Sequence, residues 1–366
     1  MRVCLISNQI AAWGKVGGYG TATRAIGAGL ARRGVEVHAA VVRRGAHGQR
    51  RVEHLDGITV HGMSAWQTMT SGRVFREIDA DIYHSQEPTV ASRLAQWAAP
   101  QALHIVSCRD PRTLRDHLIE LRHANARRRL IWPLTWWYDS GPLVRAAVRR
   151  ADAVFCPALF LRGKIRRLNG MHLDPQFVPS PVEVPEREPV KAAHPTVIFV
   201  GRWDRRKRIE VFFDLVRRCP EIRFVAIGNA QDKRYDLHLR RAAGGLPNLE
   251  MPGFVSRFDA AMGRHLEKAW VLVNTSAREG LPYTFIEAAA WGCAILAPLD
   301  PDNFASRFGC LVEDGDFEAG LRYLLDQDRW RQRGREGAAY VRGTFAVDHC
   351  IDEHLRRYRE LLHERC

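Results

Sequence analysis

Two short stretches place charged side chains where a diphosphate could be gripped. The first, Gly201-Arg-Trp-Asp-Arg-Arg-Lys207, directly follows an apolar run, Thr196–Val200, that reads as a β-strand. A glycine at a strand end lets the backbone approach a ligand closely. Arg202 could then clamp phosphate oxygens bidentately, and Lys207 adds a compact charge. These two bracket the loop, whereas Arg205, Arg206 and Arg208 read as a solvated charge run. The second stretch is Glu279-Gly-Leu-Pro-Tyr-Thr-Phe-Ile-Glu287. Pro282 suits the first turn of a helix, whose free N–H groups and positive dipole end attract a diphosphate. Glu279 stands in the loop before that end, and Glu287 lies among Phe285, Ile286 and Ala288–Ala290. A carboxylate in apolar company needs donors, which the two hydroxyls of a ribose would supply. An arginine would serve Glu287 equally well, with Glu279 a solvated loop residue; on residue types alone the two readings stand level.

The elements that must hold these stretches alternate strand and helix. Val3–Ser7 reads as a strand, followed by a Gly-rich loop, a helix over Thr21–Arg33 stopped by Gly34, and a strand over Val35–Val42. Short strands are expected at Ile82–His84, His104–Cys108 and Ala153–Cys156. The proline-rich stretch Val178–Pro195 cannot continue a helix or a central strand and reads as an interdomain linker. A second unit follows: strand Thr196–Val200, helix Ile209–Arg218, strands Ile222–Gly228 and Val271–Asn274, helix Thr284–Trp291 and strand Ala294–Ala297. From about Asp316 onward the chain reads as charged helix. Two successive doubly wound units are therefore expected, each binding ligands beyond the carboxyl ends of its strands.

Composition narrows the class. The 366 residues suit two domains, and no apolar run approaches the ~18–20 residues of a membrane-spanning helix. The N-terminus MRVCLIS reads as a first strand and not as a signal peptide. Eight scattered cysteines without a CxxC pair favour reduced thiols in a cytosolic compartment. The fifteen histidines form no HxxxH or HExxH cluster, so no metal site is expected. Pairs such as Asp79/Asp81, Asp300/Asp302, Asp314/Asp316 and Asp326/Asp328 follow no convincing central strand and read as loop and surface residues. The net charge of +14 is uneven. Residues 1–190 hold 27 Lys and Arg against 16 Asp and Glu, and the remainder 28 against 25. A basic first half suggests an anionic partner: a membrane surface, an acidic glycan or a nucleic acid. No zinc finger, helix-turn-helix or RRM signature supports nucleic acid, which is set aside.

The ordered set of motifs resembles the retaining family 4 glycosyltransferases of the GT-B fold. Their signature is similar to G-R-x4-K, here Gly201 to Lys207, followed by E-x7-E, here Glu279 to Glu287. Gly17-Gly18 resembles the first-loop glycines, Arg33–Val37 an "RGHEV" turn, and Asp81–His84 a "DVVH" strand. Val178–Val182 resembles an "IPNPV" crossover, and Ile227-Gly228 an "IxGxG" strand end. The likeness spans nearly the whole chain.

It implies an α/β, GT-B architecture of two facing Rossmann-like doubly wound domains with a deep cleft. The expected domains are 1–185 on the acceptor side, 186–348 binding the nucleotide sugar, and a C-terminal helix, 349–366, packing back on the first domain. It implies a metal-independent, retaining transfer from a nucleotide-diphosphate sugar to a glycan or lipid-linked acceptor in envelope, exopolysaccharide or glycoconjugate synthesis. Arg202 and Lys207 would neutralise the leaving diphosphate in place of a metal, and Glu279 would orient the donor sugar. Gly17, Gly18, Gly201, Gly280, Leu281 and Pro282 would border the donor, with Glu287 on the ribose. Base contacts are expected near Gly228–Asn229 and Gly253–Val255, with Phe254 among them.

Two departures bear on the first domain. Where the family often has H-x-H-E-P, this chain has His84-Ser-Gln86-Glu-Pro88, and a further His-Asp appears as Arg109-Asp110. His84, Gln86, Arg109 and Asp110 are thus candidate site residues, with a buried strand histidine the favoured reading of His84. The departures also leave open a catalytically inactive protein that keeps its nucleotide-sugar site. Finally, Arg127–Trp137 joins arginines to tryptophans: either a peripheral element on an anionic membrane at the cytoplasmic face, or, the favoured reading, a helix or loop that packs its indoles into the domain or forms an acceptor pocket.

Overall fold

The computed structural model describes residues 1–13, 17–43, 49–63, 71–124, 126–171 and 174–365. In chain order the elements are β1 (Arg2–Ser7), α1 (Gly18–Arg32), β2 (Glu36–Val42), β3 (Val52–Leu55), β4 (Ile58–Met63), α2 (Gly72–Ile78), β5 (Ile82–Ser85), α3 (Val90–Ala98) and β6 (Leu103–Ser107). Then come α4 (Leu114–Arg122), α5 (Ala126–Ser140), α6 (Pro142–Arg149), β7 (Ala153–Cys156), α7 (Leu161–Asn169) and β8 (Gln176–Phe177). The second sheet begins with β9 (Thr196–Val200), followed by α8 (Ile209–Arg218), β10 (Arg223–Ile227), α9 (Lys233–Ala243), β11 (Leu249–Gly253), α10 (Ala260–Lys268) and β12 (Val271–Val273). The chain closes with α11 (Tyr283–Ala290), β13 (Ala294–Ala297), α12 (Phe304–Phe308), β14 (Gly309–Leu311), α13 (Phe317–Leu325), α14 (Arg329–Thr344) and α15 (Val347–Arg365).

Two units result. The first comprises Met1–Thr113, Ala126–Val182 and Thr344–Cys366, and the second Leu114–Asn125 with Glu183–Gly343. The first unit's sheet runs β3-β4-β2-β1-β5-β6-β7-β8, parallel except for the β3–β4 hairpin. β1 shows why its strands read as unbroken apolar runs: Val3–Ile6 is buried throughout, as a parallel strand covered on both faces must be. Helix α15 belongs to this unit and packs on α1. Gly29 permits that approach, since a Cβ there would lie 2.5 Å from Ile351 Cγ1.

The second unit's sheet, β11-β10-β9-β12-β13-β14, is parallel throughout. Phe199, Trp203, Phe212, Phe213, Phe224 and Trp330 build its core. Each such side chain contributes roughly 1.5–3 kcal/mol on burial. The seven described cysteines are free, six of them buried.

Candidate functional site

From β9 the chain of the second unit winds outward through β10 to β11, then returns beside β9 as β12 and winds the other way through β13 to β14. The crossovers leave β9 and β12 in opposite directions. That reversal opens a crevice beyond their carboxyl ends, where open α/β sheets bind ligands. The loop after β9 carries Gly201–Arg208 and the loop after β12 carries Asn274–Pro282. Both charged stretches singled out from the sequence therefore lie at one switch point.

Hydrogen bonds from side chains and backbone stitch the two loops together. Thr275 Oγ1 donates to the carbonyl of Lys207 at 2.6 Å, Arg208 Nε donates to the carbonyl of Thr275 at 2.6 Å, and Ala277 N donates to the carbonyl of Arg206 at 2.9 Å. Asp204 accepts from Lys207 N at 3.2 Å, closing a 3-10 turn over Arg205–Lys207. Arg208 sits in the left-handed region at φ 49°, which is strained for an arginine and is held by its bond to Thr275. Trp203, wholly buried, anchors the turn from beneath.

This stitching delivers Lys207 Nζ to Glu279 Oε1 as an ion pair, the side chains only 15% and 12% exposed. Burial pushes Glu279 upward, but Lys207 and Arg206 outweigh it and hold the carboxyl below its usual range. Arg202 remains 38% exposed and touches Asp204 only loosely, at 3.7 Å. Pro282 is the N-cap of α11, one position before the first turn where the sequence had put it, and supplies no side-chain cap. Gly228 sits beside the loop at φ 136°, and a Cβ there would fall 1.8 Å from the carbonyl oxygen of Gly201, so no other residue fits. Its N–H donates to the carbonyl of Gly253 at 2.8 Å, joining the ends of β10 and β11, and with them exposed Asn229 and Phe254, at one rim.

Glu287 meets an arginine. Arg257 Nη1 lies 2.5 Å from its Oε2, and the same guanidinium stacks over the Tyr283 ring. Burial wins over this partner, and the Glu287 carboxyl is raised. Arg278, beside Glu279, is 4% exposed and bound by Asp116 at 2.9 Å and Glu120 at 3.0 Å, both from α4, with Arg206 3.7 Å from Glu120. Neither Arg257 nor Arg278 was singled out from sequence. Arg278 carried one usable signal, its place between Ala277 and a functional carboxylate; Arg257 carried none, since its partner lies thirty residues on.

In the first unit Gly17 is the N-cap of α1 and Gly18 its first residue. His84 has no exposure, its Nδ1 paired with the Tyr358 hydroxyl at 2.6 Å and its Nε2 with Ser107 Oγ at 2.8 Å. Burial, with lesser contributions from His354 and Arg109, drives its pKa well below the ordinary histidine value. Gln86 and Arg109 are also buried and bond each other: Arg109 Nη2 donates to Gln86 Oε1 at 2.8 Å and Nε to its carbonyl at 2.9 Å. Arg109 Nη1 donates to Ser180 Oγ. Of the four candidates here, Asp110 is the one that lines a cavity.

Residues 194–326 match the family model described as glycosyl transferases group 1. No curated protein sequence matches the chain. Among solved structures it resembles sucrose-phosphate synthase from Thermosynechococcus elongatus, at 18% identity over 99% of each chain and a TM-score of 0.77. It also resembles Anabaena Alr3699/HepE in complex with UDP and glucose, at 12% identity over 98% of this chain and 100% of that one, TM-score 0.70. A third is the lipopolysaccharide outer core galactosyltransferase WaaB, at 14% identity over 100% of both chains, TM-score 0.64. At such identities these likenesses carry the fold, which is GT-B.

Proposed function

We propose that the chain, a glycosyltransferase by its group 1 segment and GT-B fold, moves a sugar with retention from a nucleotide-diphosphate sugar to a glycan or lipid-linked acceptor, without a metal. The observation that carries this is the bonding of the Arg202–Lys207 loop to the Glu279 loop at the β9/β12 switch point. Lys207 and Arg202 take the diphosphate together with the amino end of α11, and Glu279 turns to the sugar hydroxyls. The acceptor oxygen bonds to the anomeric carbon as the bond from that carbon to the phosphate oxygen breaks, and its proton passes to the departing phosphate. Glu287 exchanges Arg257 for the ribose hydroxyls. UDP and UDP-glucose, bound by the HepE neighbour, are the first donor parts to try.

A peripheral site at the inner face of a membrane fits this reading. Helix α5 exposes Leu130, Ile131, Leu134 and Trp137 along one side, and no helix among the described residues is long and apolar enough to cross a bilayer. The side chains of Arg127 and Arg128 lie outside the described residues.

A thermal-shift panel of UDP, GDP, ADP and dTDP in EDTA tests the donor site. One nucleotide at a hundred times its dissociation constant stabilises the chain by about 2.7 kcal/mol. Stabilisation that appears only when Mg²⁺ is added back defeats the metal-free clamp. Stable nucleotide binding with neither donor hydrolysis nor transfer, read by mass spectrometry, would instead favour an inactive binding protein. The paired state of Gln86 and Arg109 supports that second reading.

A further inference from the structure

The residues just before Lys207 and Glu279 are both arginines, Arg206 and Arg278. Lys207 and Glu279 meet each other as an ion pair, while Arg206 and Arg278 both turn to α4. There they reach the same atom. Glu120 Oε1 accepts from Arg278 Nη1 at 3.0 Å and lies 3.7 Å from Arg206 Nη1. Asp116, one turn earlier on α4, stands 2.9 Å from Arg278 Nε.

The two arginines belong to different loops, one after β9 and the other after β12. Two guanidiniums this close repel each other, and a carboxylate between them draws both to one point instead. That carboxylate comes from a separate stretch of chain, Leu114–Asn125, which joins the second unit away from either loop. The backbone answers to the same spacing. Ala277, next to Arg278, donates its N–H to the carbonyl of Arg206 at 2.9 Å, a bond that closes only while the loops are held together. Charge answers to it as well, since the nearness of Arg206 helps to keep the Glu279 carboxyl ionised.

We propose that Glu120 is a positioning residue for sugar transfer: by gripping Arg206 and Arg278 with one carboxylate oxygen, it fixes the spacing of the two loops and so the aim of Lys207 and Glu279. The assignment rests on the reading of the chain as a sugar transferase and adds to it a residue that acts through its neighbours and not on the donor. Small errors of aim at a reacting centre are costly, so a grip of this kind bears on rate more than on binding.

Glu120→Gln in the full chain tests it. The amide keeps the shape and an acceptor for Arg278 but not the charge, and Asp116 still holds Arg278. Hydrogen exchange at Ala277 needs no activity: that amide should exchange about tenfold faster in the variant, with those of β9 and α11 unchanged. Turnover of the nucleotide sugar should show kcat about tenfold lower, with the donor KM and the nucleotide's dissociation constant within about twofold of wild type. Binding is spared because Arg202, Lys207 and the amino end of α11 share the diphosphate. Adding Arg206→Gln removes one of the two repelling guanidiniums. The double variant should therefore regain protection at Ala277 and come within about threefold of the wild-type rate, whereas independent structural losses would multiply. Glu120 loses this role if Ala277 exchange is unchanged in Glu120→Gln, or if KM rises while kcat holds. A double variant slower than either single one would remove it too. Faster Ala277 exchange in Glu120→Gln, with no turnover of any nucleotide sugar even by the wild type, would keep the grip on the two loops and remove the transferase reading.

Discussion

The two units share a doubly wound parallel plan and bury their polar groups in opposite ways. In the second unit charge is met by charge at the loops: Lys207 on Glu279, Arg257 on Glu287, and Arg278 on Asp116 and Glu120. In the first unit the most deeply buried polar cluster is a chain of rings around a strand histidine. His84 lies between Tyr358 and Ser107, and His354 Nδ1 pairs with the carbonyl of Cys350 at 2.7 Å. Burial drives both imidazoles toward the neutral form, His354 down to about 4. The fold is common to both units, so it does not decide which one handles an anion. That follows from where ionised groups are gathered beside a helix amino end.

Breaking the ionic side should have the largest effect. Arg278→Ala leaves Asp116 and Glu120 without their nearest cation, and removal of one partner from a buried pair costs about 3–5 kcal/mol. We expect about 3 kcal/mol, because the Glu120 side chain is a quarter exposed. Hydrogen exchange should show lost protection in α4 and the Glu279 loop while β1, β5 and α15 keep theirs. Equal loss in both units would mean that the ion pairs do not belong to one of them.

A second substitution separates chemistry from stability. Glu279→Ala should lower transfer about a hundredfold, roughly 2.7 kcal/mol of transition-state stabilisation. It should also lower the melting temperature, though less than Arg278→Ala, because Lys207, 15% exposed, loses its partner. Arg202→Ala should lower transfer alike through the leaving group and, with its side chain 38% exposed, leave the melting temperature close to wild type. Unchanged rates in either variant would remove the residue from the site.

How much of this could be read beforehand depends on the distance over which each feature is encoded. Strands β1 and β9 are legible because a strand covered on both faces must be apolar along its length. Gly228 is legible as a strand-end glycine because the constraint on it, contact with the carbonyl of Gly201, acts on its own missing side chain. The β3–β4 hairpin is absent from the expected strands although Asp56-Gly57 stands between two alternating runs, a turn signal present in the residues. The ion pairs are different. Arg257 and Glu287 are thirty residues apart, and α4 lies between first-unit segments in the chain yet packs with the second unit. Such pairings are fixed by tertiary placement, and no local pattern encodes them.

The neutral side of the comparison is sharpened by acid, each histidine having a smaller effect than either substitution. A histidine whose folded pKa lies below its unfolded value binds fewer protons folded than unfolded between the two. Stability is therefore complete above about pH 6.5 and declines as pH falls toward the folded pKa. For His354 that window runs from about 6.5 to about 4, with burial as the main cause, Arg109 adding to it, and the Cys350 carbonyl and Glu353 opposing. Each such histidine contributes a slope of up to about 1.4 kcal/mol per pH unit. Between pH 7 and 5, protection in β5 and α15 should fall while that of β9 and β12 holds. His354→Phe keeps an aromatic ring against Phe155 and removes one titrating group, so it should flatten the decline by about one proton. An undiminished slope in that variant would assign the acid sensitivity to His84 alone, and β9 opening before β5 would reverse the contrast between the units.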